Sequence, residues 1–263
     1  MSIHRIQVER IGTVEVSVTD SGEGNPFLLL HGGGGPLTVN AFGDLLATER
    51  PARVVIPTHP GFGGTPRPDS LDSVPGLAAL YIALLAALGL EGVTVIGNSI
   101  GGWIAAEMAL LETNRISSFV LVDAVGIEVP EHPIADFFSL TPRQLAELSY
   151  HDPDRFGIDP SKLSPEALKV MAGNRATIAV YSGASMNDAG LSDRLAGVTK
   201  PTLVVWGDSD QIADSDYGRA FAKSIPGARF KLLRDTGHLP QIETPRQLLD
   251  AVTAFVESHA QPH

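Results

Sequence analysis

The chain predicts an α/β fold, a mostly parallel sheet covered by helices on both faces, with a helical segment inserted late in the sheet. Three observations carry this expectation. Short apolar runs of strand length alternate with helix-length stretches through the first half. From Gly126 to Gly197 no run reads as a buried strand, and the alternation resumes at Pro201. Finally, 263 residues of which 43% are hydrophobic suffice for one large core. Strands on both sides of the interruption favour one core of 1–125 and 198–263 carrying an insertion of 126–197 over two separate domains.

In chain order, MSIHRIQVERIGTVEV alternates polar and apolar residues and carries charge throughout, which predicts a strand pair and not a signal peptide. PFLLLH (26–31) is an apolar run stopped by glycines, and ARVVIP (52–57) ends in a Pro/Gly loop. GVTVIGN (92–98) and SSFVLVDA (117–124) have the composition of strands buried on both faces. Between these runs, 37–48, 77–90 and 100–112 place apolar residues at helical spacing. Within the interruption, helical patches cover 141–148, 164–171 and 175–181. Strand PTLVVWG (201–207), a helix over 216–225, strand ARFKLLR (228–234) and a helix over 245–258 complete the pattern. The uncharged stretch 73–90 is interrupted by Pro75 and Gly76, so what remains is shorter than the roughly 20 apolar residues a membrane helix needs. A buried helix is expected there.

Composition narrows the chemistry. Nineteen Lys plus Arg against 30 Asp plus Glu give a formal charge of −11, which argues against nucleic acid or an anionic membrane surface as partner. With no cysteine, disulfides, thiolate nucleophiles and Cys-ligated zinc or iron–sulfur centres are impossible. The same absence is compatible with the cytoplasmic location we expect.

Gly97-Asn98-Ser99-Ile100-Gly101 is a G-x-S-x-G placed where a strand ends and a helix begins. A turn that sharp needs glycines on both sides of the serine, and it lifts the hydroxyl above the sheet edge. A serine hydroxyl is a weak nucleophile unless a base, itself oriented by a carboxylate, takes its proton. In this architecture the partners follow in the order serine, acid, histidine. His238 lies after the last predicted strand and fits the base; the other histidines precede the serine, are terminal or lie in the insertion. Asp208, Asp210, Asp214 and Asp216 follow PTLVVWG, and only the first two stay near the strand end, with Asp210 preferred. Asp123, closing VLVD, is the other place where a triad acid could sit. The glycine run after His31 can aim backbone N–H groups at a developing oxyanion. Neither glycine cluster completes G-x-G-x-x-G, and no G-K-[ST] occurs, so a nucleotide cofactor is not expected.

With these motifs in place, the chain resembles the α/β-hydrolase superfamily, in the form that carries a helical cap after the sixth strand. The resemblance spans essentially the whole length. It rests on H-G-G-G at His31, P-G-F-G-G at Pro60, the elbow at Ser99, G-x-x-D from Gly207 to Asp210, and G-H-x-P-Q-x-E-x-P around His238. It implies Ser99 as nucleophile, Asp210 as acid, His238 as base, and the amides of Gly33 and Ile100 as oxyanion hole. It implies neither metal nor cofactor, a small-molecule substrate, and compatibility with a homodimer. His31 is a loop residue in the family. His59 stands where relatives commonly carry Asp; a loop-bracing role is expected, with a substrate contact as the alternative.

Ser99 departs from the aspartate nucleophile of haloalkane dehalogenases and epoxide hydrolases, and Ile100 from the methionine usual in cofactor-free haloperoxidases. Carboxylesterases and the carbon–carbon hydrolases of ring-fission diketones resemble the chain better. The latter typically carry Trp after the catalytic histidine and a cap arginine for the substrate carboxylate; here Leu239 takes the first place and Arg175 is the candidate for the second. Gly34, Trp103, Phe137, Phe138, Arg175 and Leu239 are the expected substrate contacts, with Met171, Tyr181 and Met186 as further pocket candidates. A non-catalytic binder or receptor on the same fold is the alternative of another class.

Overall fold

In the computed structural model, which describes residues 1–259, the strands are β1 (Ser2–Val8), β2 (Gly12–Gly22), β3 (Asn25–Leu30), β4 (Ala52–Pro57), β5 (Val93–Asn98), β6 (Ile116–Val122), β7 (Thr202–Gly207) and β8 (Arg229–Leu233). Residues 260–263, the end of the expected core, lie outside the described residues. The strands form one eight-stranded sheet in the order β1-β2-β4-β3-β5-β6-β7-β8. β1 pairs with β2 and β2 with β4 antiparallel; every later pairing is parallel.

The helices are α1 (Leu37–Glu49), α2 (Val74–Ala87), α3 (Ile100–Ala109), α4 (Pro142–Ser149) and α5 (Pro153–Phe156). They continue as α6 (Pro165–Ser182), α7 (Leu191–Leu195), α8 (Ser215–Ser224), α9 (Pro240–Glu243) and α10 (Pro245–His259). The period of two in the central strands decides which helices cover which face. Val95, Leu121 and Val204 join the core built with α2, α3 and α8, whereas Ile96, Val120 and Val205 join that of α1 and α10. This is why β5 and β7 are buried along their whole length and read as unbroken apolar runs.

Several helix boundaries differ from the sequence expectation: α2 ends at Ala87 against 90 and α3 at Ala109 against 112, and two further differences have a clear cause. α2 begins at Val74, before the expected 77, because proline is tolerated in a first turn, where its missing N–H would have no partner anyway. The patches at 164–171 and 175–181 are one helix, α6, which runs through Gly173. A mid-helix glycine costs only about 1 kcal/mol, and the buried face Asn174, Thr177, Ile178 and Tyr181 keeps helical spacing across the join. The Ser164 side chain caps the start by accepting from Ala167 N–H. Among the described residues, no helix is long and apolar enough to cross a membrane.

The segment between β6 and β7 is fastened to the sheet helices by charge. Glu107 on α3 is buried, and Arg194 on α7 reaches it with two bonds of 2.7 Å while also bonding Asp188 at 2.6 Å. Arg194→Ala leaves a buried carboxylate without its cation. A loss of roughly 2 kcal/mol is expected in urea unfolding, reduced from the fully buried case because the arginine is partly in water.

Candidate active site

The chain passes from β3 to β4 on one side and returns to β5 on the other, so the carboxyl ends of β3 and β5 flank a topological switch point, where ligand crevices form in such sheets. Ser99 sits there, between β5 and α3, with φ 56° and ψ −120°. A positive φ on a non-glycine residue is strained, and the neighbouring packing holds it in place. A Cβ on Gly97 would lie 2.1 Å from the Gly101 carbonyl oxygen, and one on Gly101 would lie 2.4 Å from that of Leu30. The elbow can therefore fold this tightly only with glycine at both positions. Ser99 N–H donates to Val122 O at 3.0 Å, and Ser99 O accepts from Gly102 and Val125, which ties the elbow to β6 and to α3.

The loop after β3 lies against this turn, with Gly32 packed on Asn98 and Ser99. Gly33 and Ile100 both line the cavity beside Ser99, and among the described residues neither N–H has a protein acceptor. The Ile100 amide is free because it opens α3, where the first N–H groups have no partner one turn back.

His238 and Asp210 come from the loops after β8 and β7 and are both buried. His238 Nδ1 donates to Asp210 Oδ2 at 2.8 Å, and the other carboxylate oxygen accepts from Ile212 N–H at 2.8 Å and Ala213 N–H at 3.3 Å. His238 is held at its backbone too. Its N–H donates to Ser149 O at the end of α4 at 2.7 Å, and its carbonyl accepts from Asn98 Nδ2 at 3.0 Å. Ser99 and His238 line the same cavity; no hydrogen bond joins the serine hydroxyl to the ring among the described residues. Such bonds are often loose without substrate and tighten with it.

The remaining aspartates separate by partner. Asp214 caps α8 by accepting from Asp216 and Tyr217 N–H groups. Asp208 accepts from Thr236 N–H and the Ser209 hydroxyl, bracing the β8 loop. Asp123 is fully buried, and one of its oxygens accepts from Gly207 N–H at 2.8 Å. Burial, and then the charge of Asp210, hold its carboxyl well above the usual carboxylate range.

The cavity has a volume of about 380 Å³ and mostly apolar walls, including Leu145, Met171, Ile178 and Ile212. Of the residues expected to meet substrate, Gly34, Phe137, Arg175 and Leu239 line it, as do Met171 and Met186. Trp103 and Phe138 do not: Trp103 packs beneath Gly126 and points its ring N–H at Glu107, and Phe138 packs against the core. Tyr181 instead donates to Pro60 O. The Arg175 guanidinium donates to Phe137 O at 2.8 Å and Leu140 O at 3.1 Å and lies over the Phe137 ring.

Sequence reasoning assigned no role to Asn98, Gln241 or Ser149. Asn98 links the elbow to the histidine loop and accepts from Gln241 Nε2 at 3.0 Å, although both residues stand inside the quoted motifs. His59 braces the loops as expected. Its N–H donates to His31 Nε2, its Nε2 donates to His31 O, and Tyr81 OH donates to its Nδ1. Burial holds both rings neutral, lowering His31 well below the usual histidine range and His59 to about 4.

Residues 27–251 match the Alpha/beta hydrolase family. The chain is 28% identical over 255 residues to 2-hydroxymuconate semialdehyde hydrolase of Pseudomonas putida, covering 90% of this chain and 89% of that protein. It is 27% identical over 258 residues to Lipase 3 of Moraxella sp. strain TA144, covering 90% and 78% respectively. Among solved structures, a thermophilic esterase from Thermogutta terrifontis superposes with a TM-score of 0.80 at 24% identity, covering 99% of this chain and 100% of that one. That last likeness is one of fold.

Proposed function

The chain belongs to the alpha/beta hydrolase family and is an enzyme of that kind, and from this premise we propose that Ser99, His238 and Asp210 are its catalytic triad and a small carboxylic ester its substrate. The observation that carries the proposal is the His238–Asp210 bond of 2.8 Å beside a cavity that also exposes Ser99 and the Gly33 and Ile100 amides. His238 Nε2 takes the Ser99 proton as Oγ attacks the ester carbonyl, and the oxyanion is received by the N–H groups of Gly33 and Ile100. Collapse expels the alcohol, which takes the proton from His238 and leaves an acyl-Ser99. Water attacks that ester in turn, giving its proton to His238, and the acid leaves as Ser99 is reprotonated. Residues 126–197 form the cap of this site, supplying Phe137, Ile178 and Met171 to the acyl pocket.

The carbon–carbon hydrolase reading is favoured by Arg175, a cation on the cavity wall that a substrate carboxylate could use. The bonds it already makes to Phe137 O and Leu140 O favour a bracing role and thus the ester. A short nitrophenyl ester and a ring-fission diketone assayed side by side decide between them. Turnover of the ester with KM unmoved by Arg175→Gln is expected; efficient diketone cleavage whose KM rises on that substitution would reverse the assignment. A fluorophosphonate probe read by intact mass addresses the non-catalytic binder, since an adduct on Ser99 requires an activated hydroxyl and an unlabelled protein does not contain one.

A further inference from the structure

Asp123 has no part in the mechanism above, yet it stands beside the acid and base. Donor atoms of Asp123, Asp210 and His238 all lie within 4.8 Å of one another, and all three side chains are buried. Two carboxylates that close in a dry site do not both ionise. The hydrogen bonds decide which one carries the charge. Asp210 receives His238 Nδ1–H and the N–H groups of Ile212 and Ala213, one oxygen taking the ring and the other the two amides. Asp123 receives only Gly207 N–H on Oδ1, and its Oδ2 has no donor. An ionised Asp123 would leave a buried anionic oxygen unpaired, at heavy cost. A protonated one needs an acceptor for Oδ2–H, and the Asp210 carboxylate is at hand. The backbone at Asp123 is held at φ 44°, a conformation that Asp and Asn tolerate better than most residues, immediately after β6.

We propose that Asp123 carries the proton between the two carboxylates and donates it to Asp210, acting as a positioning residue that fixes the triad acid and tempers its pull on His238. The ionisable groups facing Asp123 are Asp210 after β7, His238 after β8 and Glu243 on α9, the last already accepting from Gly237 and Asp152 N–H groups. The proposal rests on Asp210 and His238 being the acid and base.

The variants are Asp123→Asn, which keeps a neutral donor, and Asp123→Ala, which removes it. The acid limb of the kcat/KM profile reports His238 in the free enzyme. With Asp123→Asn the limb is expected to stay in place. With Asp123→Ala, Asp210 loses a donor, becomes more basic and stabilises the imidazolium, so the limb moves up by roughly half to one pH unit. A limb that moves down in Asp123→Asn overturns the proposal, because it means an anion was removed; so does an unmoved limb in a folded Asp123→Ala. Infrared spectra read the same proton without turnover. A carboxylic-acid C=O band at neutral pH, present in the wild type and absent from Asp123→Asn, is expected, and its absence from the wild type is fatal. Fluorophosphonate labelling of the wild type keeps the two failures apart. No adduct refutes the triad, whereas an adduct together with an unmoved Asp123→Ala limb, a lowered Asp123→Asn limb or a missing band refutes only the role of Asp123.

Discussion

Ser99→Ala is expected to lower kcat toward a short nitrophenyl ester by a factor of about 10⁵ or more, while the protein stays folded with a nearly unchanged Tm. The two halves have separate causes. Catalysis falls because the hydroxyl that lines the cavity with His238, Gly33 and Ile100 is removed. Stability holds because the Ser99 side chain makes no hydrogen bond among the described residues, and alanine inherits the same φ of 56° from the packed elbow. What remains after the substitution is the contribution of oxyanion donors and binding. Asp210→Asn, which leaves the ring in place but disturbs its tautomer, should cost about 10⁴. Stopped-flow or endpoint absorbance of nitrophenolate, with thermal unfolding alongside, checks both. Unchanged turnover in a folded Ser99→Ala protein would remove the serine mechanism.

The second large effect is on stability in mild acid. His31 and His59 are buried and neutral in the fold, with pKa values depressed, that of His59 to about 4. In the unfolded chain each titrates near 6.5. Below that value the unfolded state binds protons that the folded state refuses, so stability is complete above about pH 6.5 and falls as the pH drops through the window down to the folded pKa. The slope is about 1.4 kcal/mol per pH unit for each ring, so the pair together removes roughly 5 kcal/mol by pH 4.5, comparable to the whole stability of a domain at the low end of the roughly 5–15 kcal/mol range. Urea midpoints measured from pH 7 to 4.5 should fall steeply, and His59→Asn should roughly halve the slope. A midpoint that stays flat over that range would contradict the neutral pair. His132, raised by its bond to Asp214, has the opposite sign but is exposed and contributes little.

The sheet was legible in the sequence because its central strands are buried on both faces, which leaves long apolar runs such as those of β5 and β7. The elbow was legible for a steric reason: the approaches of Gly97 to Gly101 and of Gly101 to Leu30 leave room for nothing larger than hydrogen. Asp210 and His238 followed from chain order, and the structure brings them together across 28 residues. The cavity wall was not legible. Whether an aromatic residue faces a pocket or the core depends on the rotation of its element by a fraction of a turn. Phe137 and Phe138 are adjacent in sequence, yet only the first lines the cavity. Arg175 was similarly ambiguous, since nothing local reveals that two carbonyls some 35 residues away would occupy its guanidinium.

The bond from His238 N–H to Ser149 O has a bearing on any attempt to simplify this protein. Ser149 belongs to the segment between β6 and β7, so the backbone of His238 is held by a piece of chain that contributes no strand to the sheet. Gly237 abuts the same carbonyl so closely that a Cβ there would lie 2.2 Å from it. Excising residues 126–197 to obtain a minimal hydrolase would therefore strip the imidazole loop of its seat and the cavity of wall residues such as Phe137, Leu145, Met171 and Ile178. Miniaturisation would have to supply a new acceptor at that point, and grafting this segment onto another core would have to carry the histidine loop with it.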